Sequence, residues 1–350
     1  MSDRKSIYLP YITGMSSPIP YLFEQIIPRI SDRYDILVHS TDGDRFNTES
    51  VMEIKMDNSH TIKKAVKFAT ASMRPIDLIH TGAWGRYHLY AKRLAQIRNR
   101  DIGHVHTFRV DIDPDQWNPG VRRATAELAD EVTAVSEHTA RTAEREFGIS
   151  PTVIYNGVDV DMFTPDQGPS AVFENMDFEG PIVMFVGYFD PRKRPLDFVE
   201  VASRTPEAEF VMAGEGSLFN DAKSRAEHID NLRLLGRVDK SKLPAMYADA
   251  SLLLFPTTKE GCPNVVLEAF ASGTPVAGYE ATSMPELVEN EKTGELVSAE
   301  DTDALAGAVS KLLDSNLERM SRNAREYAVR NHKFERIAEQ YLEVYDSVVG

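Results

Sequence analysis

Short apolar runs alternate along this chain with segments whose apolar positions recur every three to four residues, the pattern of strands joined by helices in parallel sheets. In the first half, strands are predicted at 6–11, 35–39, 76–80, 103–108, 131–135 and 152–155, with amphipathic helices at 21–30, 62–73 and 139–147. A second series places strands at 182–186, 209–213, 232–235, 251–255 and 275–278 and helices at 195–203, 240–248 and 265–272. From 303 onwards the period is helical throughout. Asn156-Gly157 is a turn dipeptide, and 163–180, rich in Pro, Asp and Gly, reads as an interdomain linker. The expected architecture is α/β, with two Rossmann-like doubly wound domains at 1–165 and 166–332. A last helix at 333–350 is free to pack back on the first domain. In such domains ligands sit outside the carboxyl ends of the strands.

The length of 350 residues suits two domains, and each half is long enough to bury its own core. The net charge of −15 is lopsided: residues 1–165 carry 20 Lys and Arg against 22 Asp and Glu, and residues 166–350 carry 19 against 32. An acidic chain argues against nucleic acid as a partner, because that binding depends on phosphate neutralisation. In the first half, Lys63, Lys64, Lys67, Lys92, Arg93, Arg98 and Arg100 cluster on predicted helices. They read either as solvated helix faces or as a weak peripheral contact with an anionic membrane. The single cysteine, Cys262, excludes an intramolecular disulfide and a cysteine-based zinc site. With no signal-like h-region and no membrane-length apolar run, the expected location is cytoplasmic.

The most informative stretch is 257–276, TTKEGCPNVVLEAFASGTPV. Glu260 leaves the end of a strand, Asn264 is placed to cap a helix containing Glu268, and Gly273 ends that helix. Two carboxylates and several backbone N–H groups are thereby gathered on one strand–loop–helix unit. Carboxylates accept hydrogen bonds from sugar hydroxyls, and a helix N-terminus favours a diphosphate. On spacing alone, two solvent-facing helix glutamates remain an equal reading.

This segment resembles the retaining GT-B glycosyltransferases of the group 1 (family four) type, whose E-G-x-P-N-x-x-x-E-A-x-A-x-G-x-P-V setting is matched from Glu260 to Val276. Val135-Ser136-Glu137, Asn156-Gly157-Val158-Asp159 with Phe163, Val186-Gly187 with Pro191 and Lys193, Gly214-Glu215-Gly216, Leu235-Gly236-Arg237-Val238 and Pro285-Glu286-Leu287-Val288 resemble further family segments in the family's order. The resemblance implies two domains facing across a cleft, the first on the acceptor side and the second binding a nucleoside-diphosphate sugar. It implies that Glu260 contacts the donor sugar and Glu268 the ribose. Gly261, Cys262, Pro263, Asn264 and Val265 would line sugar and phosphates, although Pro263 has no N–H to donate. Val238 would lie near the nucleobase, Lys193 would neutralise the leaving diphosphate, and Gly14 would belong to a loop beneath it.

Two departures stand out. The arginine that usually follows the glycine of V-G-R is Tyr188 here, with Arg192 and Arg194 nearby as substitutes. Where the family often places a histidine, this chain has Arg109, two residues beyond Thr107. A permanent cation cannot act as a base, so Arg109 is expected to face a fixed carboxylate such as Asp111 or Asp113, or an anion of the substrates. His80, His88, His104 and His106 read as core or surface histidines rather than ligands, and metal-independent transfer with no cofactor is expected. The acceptor is unidentified. Rival readings are a non-catalytic partner subunit of transferase fold, or a GT-B epimerase or phosphorylase.

Overall fold

The computed structural model describes residues 4–13, 18–41, 43, 45–46, 48–56, 61–82, 92–97, 101–109, 119–174, 176 and 178–350. The chain divides into two units: Met1–Asn156 together with Phe334–Gly350, and Gly157–Lys333. The boundary falls at 156/157, ahead of the expected 165/166.

Among the described residues, the first unit holds a seven-stranded parallel sheet. Its strands are β1 (Ser6–Thr13), β2 (Asp35–Ser40), β3 (Val51–Lys55), β4 (Leu78–Gly82), β5 (Gly103–Phe108), β6 (Glu131–Ala134) and β7 (Thr152–Val153), in the order β3-β2-β1-β4-β5-β6-β7. Register is set by apolar pairs at its centre: Ile7 lies beside Ile36 on β2 and Leu78 on β4. Every residue of β4 and β5 is buried, as expected of strands covered on both faces. Edge strand β3 was not predicted; it buries only Val51 and carries Glu53 and Lys55, so no apolar run announces it.

The helix Phe334–Val349 belongs to this first unit. It presents Phe334, Ile337, Ala338, Tyr341, Leu342 and Tyr345 to the core shared with Leu22, Phe23, Ile26, Ile27 and Ile30 of the helix Pro18–Ile30. That spacing of three and four is one helical face. The histidines of the sheet are core residues. His80 bonds the Tyr345 and Thr107 hydroxyls at 2.7 Å each, and Thr81 Oγ1 lies 2.7 Å from His104 and 2.8 Å from His106. His88 lies outside the described residues. Lys92, expected on a solvated face, is instead buried, donating to Leu128 O at 2.6 Å and pairing with Asp130 at 3.0 Å. A buried ammonium requires such partners.

In the second unit, the described residues form a six-stranded parallel sheet of β8 (Ile182–Val186), β9 (Glu209–Ala213), β10 (Leu232–Gly236), β11 (Leu252–Phe255), β12 (Val276–Tyr279) and β13 (Gly294–Val297). The order β10-β9-β8-β11-β12-β13 puts the topological switch between β8 and β11. The stretch expected as a linker is packed on this unit. Phe163 is buried against Tyr247, the Ser170 N–H donates to Asp249 at 2.6 Å, and Arg325 Nη1 donates to the carbonyls of Val160, Phe163 and Ala271 at 2.6–2.9 Å. Its Pro and Gly content signals irregular backbone, not the absence of contacts.

Because the last helix completes the first unit's core, Ile337→Ala is expected to destabilise that unit by about 2–5 kcal/mol. Limited proteolysis should show the first unit cleaved earlier while Gly157–Lys333 resists; equal sensitivity of the two units would refute this.

Candidate functional site

The second sheet brings three loops together at the carboxyl ends of β8, β9 and β11. After β8, the Phe189 ring is buried edge-on against Phe185 and Phe219, each at 5.4 Å, which pins the loop to the core. The Asp190 carboxylate then accepts the N–H groups of Arg192 at 2.9 Å and Lys193 at 3.1 Å, closing a single turn over Pro191–Lys193. After β9, Gly214 and Gly216 have φ of 147° and 156°. A Cβ at Gly214 would fall 1.8 Å from Gly187 O, and one at Gly216 2.6 Å from the Phe189 backbone, so these two loops fit only as glycine. The Phe189 N–H donates to Glu215 O at 2.8 Å, fastening one loop to the other.

The turn at Pro191–Lys193 carries the Lys193 ammonium over the Phe255 ring at 4.7 Å and into an ion pair with Glu260. Their side chains are only 16% and 13% exposed, so neither charge is fully solvated apart from the other. Thr257 Oγ1 donates to the same Glu260 carboxylate at 3.1 Å, and the Thr258 N–H donates to Arg192 O at 2.9 Å, stitching the β8 and β11 loops together. Glu260's own main chain is held from the loop after β12. Its N–H donates to Thr282 Oγ1 at 3.0 Å and its carbonyl accepts from Ser283 Oγ at 3.3 Å.

The helix Asn264–Ala271 follows directly. Pro263 occupies the cap position and makes no side-chain cap bond, and Asn264, expected as the cap, is already the first helical residue. Gly273, at φ 76°, ends it, with the Thr274 N–H reaching back to Ala269 O at 2.8 Å. Glu268 is on this helix and buried, accepting from the Tyr247 hydroxyl at 3.3 Å. Burial pushes its carboxyl up to about 7, against the opposing pull of Lys240 and of the Tyr247 hydrogen bond.

Arg192 is half-exposed and paired with Asp190 at 2.8 Å, and Arg194 is paired with Asp197 at 2.9 Å and Glu300 at 3.2 Å. Tyr188 is exposed. Cys262 is buried, and Val238 is partly buried beside Arg237, which pairs with Glu215 at 3.6 Å. Arg109 belongs to the first unit. It is buried, donates to the Tyr341 hydroxyl at 3.3 Å and lies 5.0 Å above the Phe23 ring. Gly14, Asp111 and Asp113 lie outside the described residues. Among the described residues no three His, Cys, Asp or Glu side chains are gathered for a metal, and no helix is long and apolar enough to cross a membrane.

A cavity of about 410 Å³ opens elsewhere on this unit, lined by Glu280, Glu286, Glu289, Asn290, Leu296 and Tyr327 among others. Its lining has no Lys or Arg, so a diphosphate has no counter-charge there. Sequence reasoning missed Thr257, Thr282 and Ser283 in loops and Tyr247 on the helix Leu243–Asp249, because single hydroxyls carry no signal until the fold brings them to Glu260 and Glu268.

Two family models match in chain order: "Glycosyltransferase Family 4" over 24–162 and "Glycosyl transferases group 1" over 172–329. The chain is 29% identical over 210 residues to the UDP-Gal:alpha-D-GlcNAc-diphosphoundecaprenol alpha-1,3-galactosyltransferase of Escherichia coli, covering 57% of this chain and 54% of that one. It is 28% identical over 269 residues to a D-inositol 3-phosphate glycosyltransferase of Mycobacteroides abscessus, covering 72% of this chain and 57% of that one. The chain thus spans about half the length of these curated relatives. Among solved structures, Anabaena Alr3699/HepE in complex with UDP and glucose matches with a TM-score of 0.82 at 18% identity, over 98% of this chain and 100% of that one. Sucrose-phosphate synthase of Thermosynechococcus elongatus matches with a TM-score of 0.78 at 21% identity, over 99% of each. These likenesses establish the GT-B fold, and with both family models matched in order the chain belongs to the group 1 glycosyltransferases.

Proposed function

We propose that this protein transfers a sugar from a nucleoside-diphosphate sugar to an acceptor, with retention of anomeric configuration and without a metal. The observation that carries the reading is the meeting of Lys193 and Glu260 at the switch point of the second sheet, four residues ahead of the start of the helix that bears Glu268. A cation and a helix N-terminus suit a departing diphosphate, and two carboxylates suit sugar and ribose hydroxyls. A uridine nucleotide is the favoured donor carrier, supported by the UDP bound in the structurally similar Anabaena protein and the UDP-sugar named for the Escherichia coli relative. The reading keeps the chain in the cytoplasm, where a lone cysteine fits a reducing compartment.

In this reading the sugar–phosphate bond breaks as negative charge collects on the diphosphate. Lys193 exchanges part of its contact with Glu260 for the phosphate oxygens, and the freed carboxylate accepts a sugar hydroxyl. The acceptor then attacks an oxocarbenium-like sugar on the face the diphosphate leaves, and the leaving phosphate takes the acceptor's proton. Chelation is expected to leave turnover intact; loss of activity in EDTA that returns with a divalent ion would remove the metal-independent part.

Calorimetric titration with UDP and measurement of UDP release from UDP-glucose test the assignments together. Lys193→Ala should weaken UDP binding. Glu260→Gln should lower turnover by roughly 100-fold or more while UDP binds equally well or tighter, because Lys193 loses its competing partner. If Glu260→Gln abolished UDP binding and Glu268→Gln left it intact, the two roles would be reversed.

Glu268 has a pH signature. Its folded carboxyl titrates near 7, against an ordinary value of 4.5, so the folded chain holds a proton that the unfolded chain has lost between those values. The stability this contributes is full below about 4.5 and disappears as pH rises through 7. Glu268→Gln is therefore expected to match the wild type near pH 5 and to exceed its melting temperature at pH 8, by up to about 3 kcal/mol of stability. An unchanged difference between the two pH values would contradict it.

A further inference from the structure

We propose that Thr282 is a positioning residue for Glu260, and that its strained backbone exists to present one hydroxyl to that glutamate. The inference rests on the reading of Glu260 as the donor-sugar carboxylate. Glu260 sits between β11 and the helix Asn264–Ala271, in neither a ladder nor a helix, so its main-chain polar groups need partners from elsewhere. Two adjacent residues after β12 supply them: the Thr282 hydroxyl accepts the Glu260 N–H at 3.0 Å, and the fully buried Ser283 donates to the Glu260 carbonyl at 3.3 Å. Gripping both sides of one residue fixes its height and its rotation. Thr257 and Lys193 hold the carboxylate, but they constrain only its far end.

The backbone of Thr282 points the same way. Its φ is 48°, in the left-handed region. Among the described residues, the other non-glycine residues with positive φ are Arg194, Glu291 and Glu300, none of which is β-branched. A β-branched side chain crowds the backbone there, and glycine is the residue that conformation ordinarily selects. Glycine would relax the turn, but it would remove the oxygen that receives the Glu260 N–H. The loop thus keeps a side chain where its backbone favours none, and that side chain's hydroxyl is bonded to the glutamate of the site.

Thr282→Gly separates strain from positioning. It is expected to keep or raise the melting temperature, to leave UDP affinity within twofold, and to speed hydrogen exchange at the Glu260 amide. Release of UDP from UDP-glucose should slow by roughly 10- to 100-fold in kcat, the order for a group displaced by about 1 Å. Thr282→Ser keeps the acceptor oxygen and should recover most of that loss. In a Glu260→Gln background, Thr282→Gly should cost no further kcat. Wild-type kcat and unchanged exchange in Thr282→Gly would overturn the proposal, as would a joint fall of melting temperature, UDP binding and kcat, which marks a merely structural residue. Wild-type turnover in Glu260→Gln would instead sink the functional reading, and the exchange rate would still decide whether Thr282 holds Glu260.

Discussion

A lysine and a glutamate from loops after two different strands meet over the Phe255 ring, and the surrounding structure is organised to keep them there. Both side chains are withdrawn from bulk water, so removing either leaves a poorly solvated charge, and the pair is more costly to break than to form. The Asp190 cap sets the direction of Lys193, Thr257 and Thr258 tie its loop to that of Glu260, and Thr282 with Ser283 fix the glutamate's main chain. Parallel strands make this convergence available. Every strand of the sheet ends on the same side, and the order reverses between β8 and β11, leaving a gap where no crossover helix covers the strand ends.

The same pair explains how a domain with a strong excess of acid can be read as the anion-binding half of the molecule. Residues 166–350 carry 32 Asp and Glu against 19 Lys and Arg, yet charges beyond roughly 8 Å are largely screened at physiological salt. Arg194, Arg204 and Lys311 are committed to surface pairs with Glu300, Asp303 and Glu295. Lys193 differs because it is held at the strand ends, largely out of water, against Glu260 and the Phe255 ring. Its position, not the net charge, is what the proposed phosphate contact rests on.

In the first unit, several polar side chains are buried within the apolar core. His80 is hydrogen-bonded to the Tyr345 and Thr107 hydroxyls, His104 and His106 both to the Thr81 hydroxyl, and Arg109 rests on Tyr341 and Phe23. Tyr341 and Tyr345 both come from the helix Phe334–Val349, which lies at the far end of the chain from β4 and β5. The described partners of Arg109 thus tie this late helix to the sheet, a use of the cation that its position after Thr107 did not suggest.

Two α/β halves were legible in the amino-acid order alone, because alternating apolar runs and helical periods are local properties that survive without tertiary context. So was the Glu260-to-Val276 segment, whose spacing follows from one strand, one loop and one helix that are contiguous in the chain. Neither β3 nor β13 was legible, since each lacks an apolar run of its own, and nothing local showed that 163–180 is packed rather than free. Which hydroxyl holds which glutamate was also out of reach: Tyr247 reaches the Glu268 carboxylate and Thr282 the Glu260 N–H only across separate elements, and Thr257 meets the Glu260 carboxylate only because their shared loop folds back on itself. The Asn264 cap failed for a related reason, since the loop geometry set by those contacts begins the helix one residue earlier, after Pro263. Local pattern fixes what each segment becomes, while partners distant in sequence are chosen by the packing that brings strand ends together.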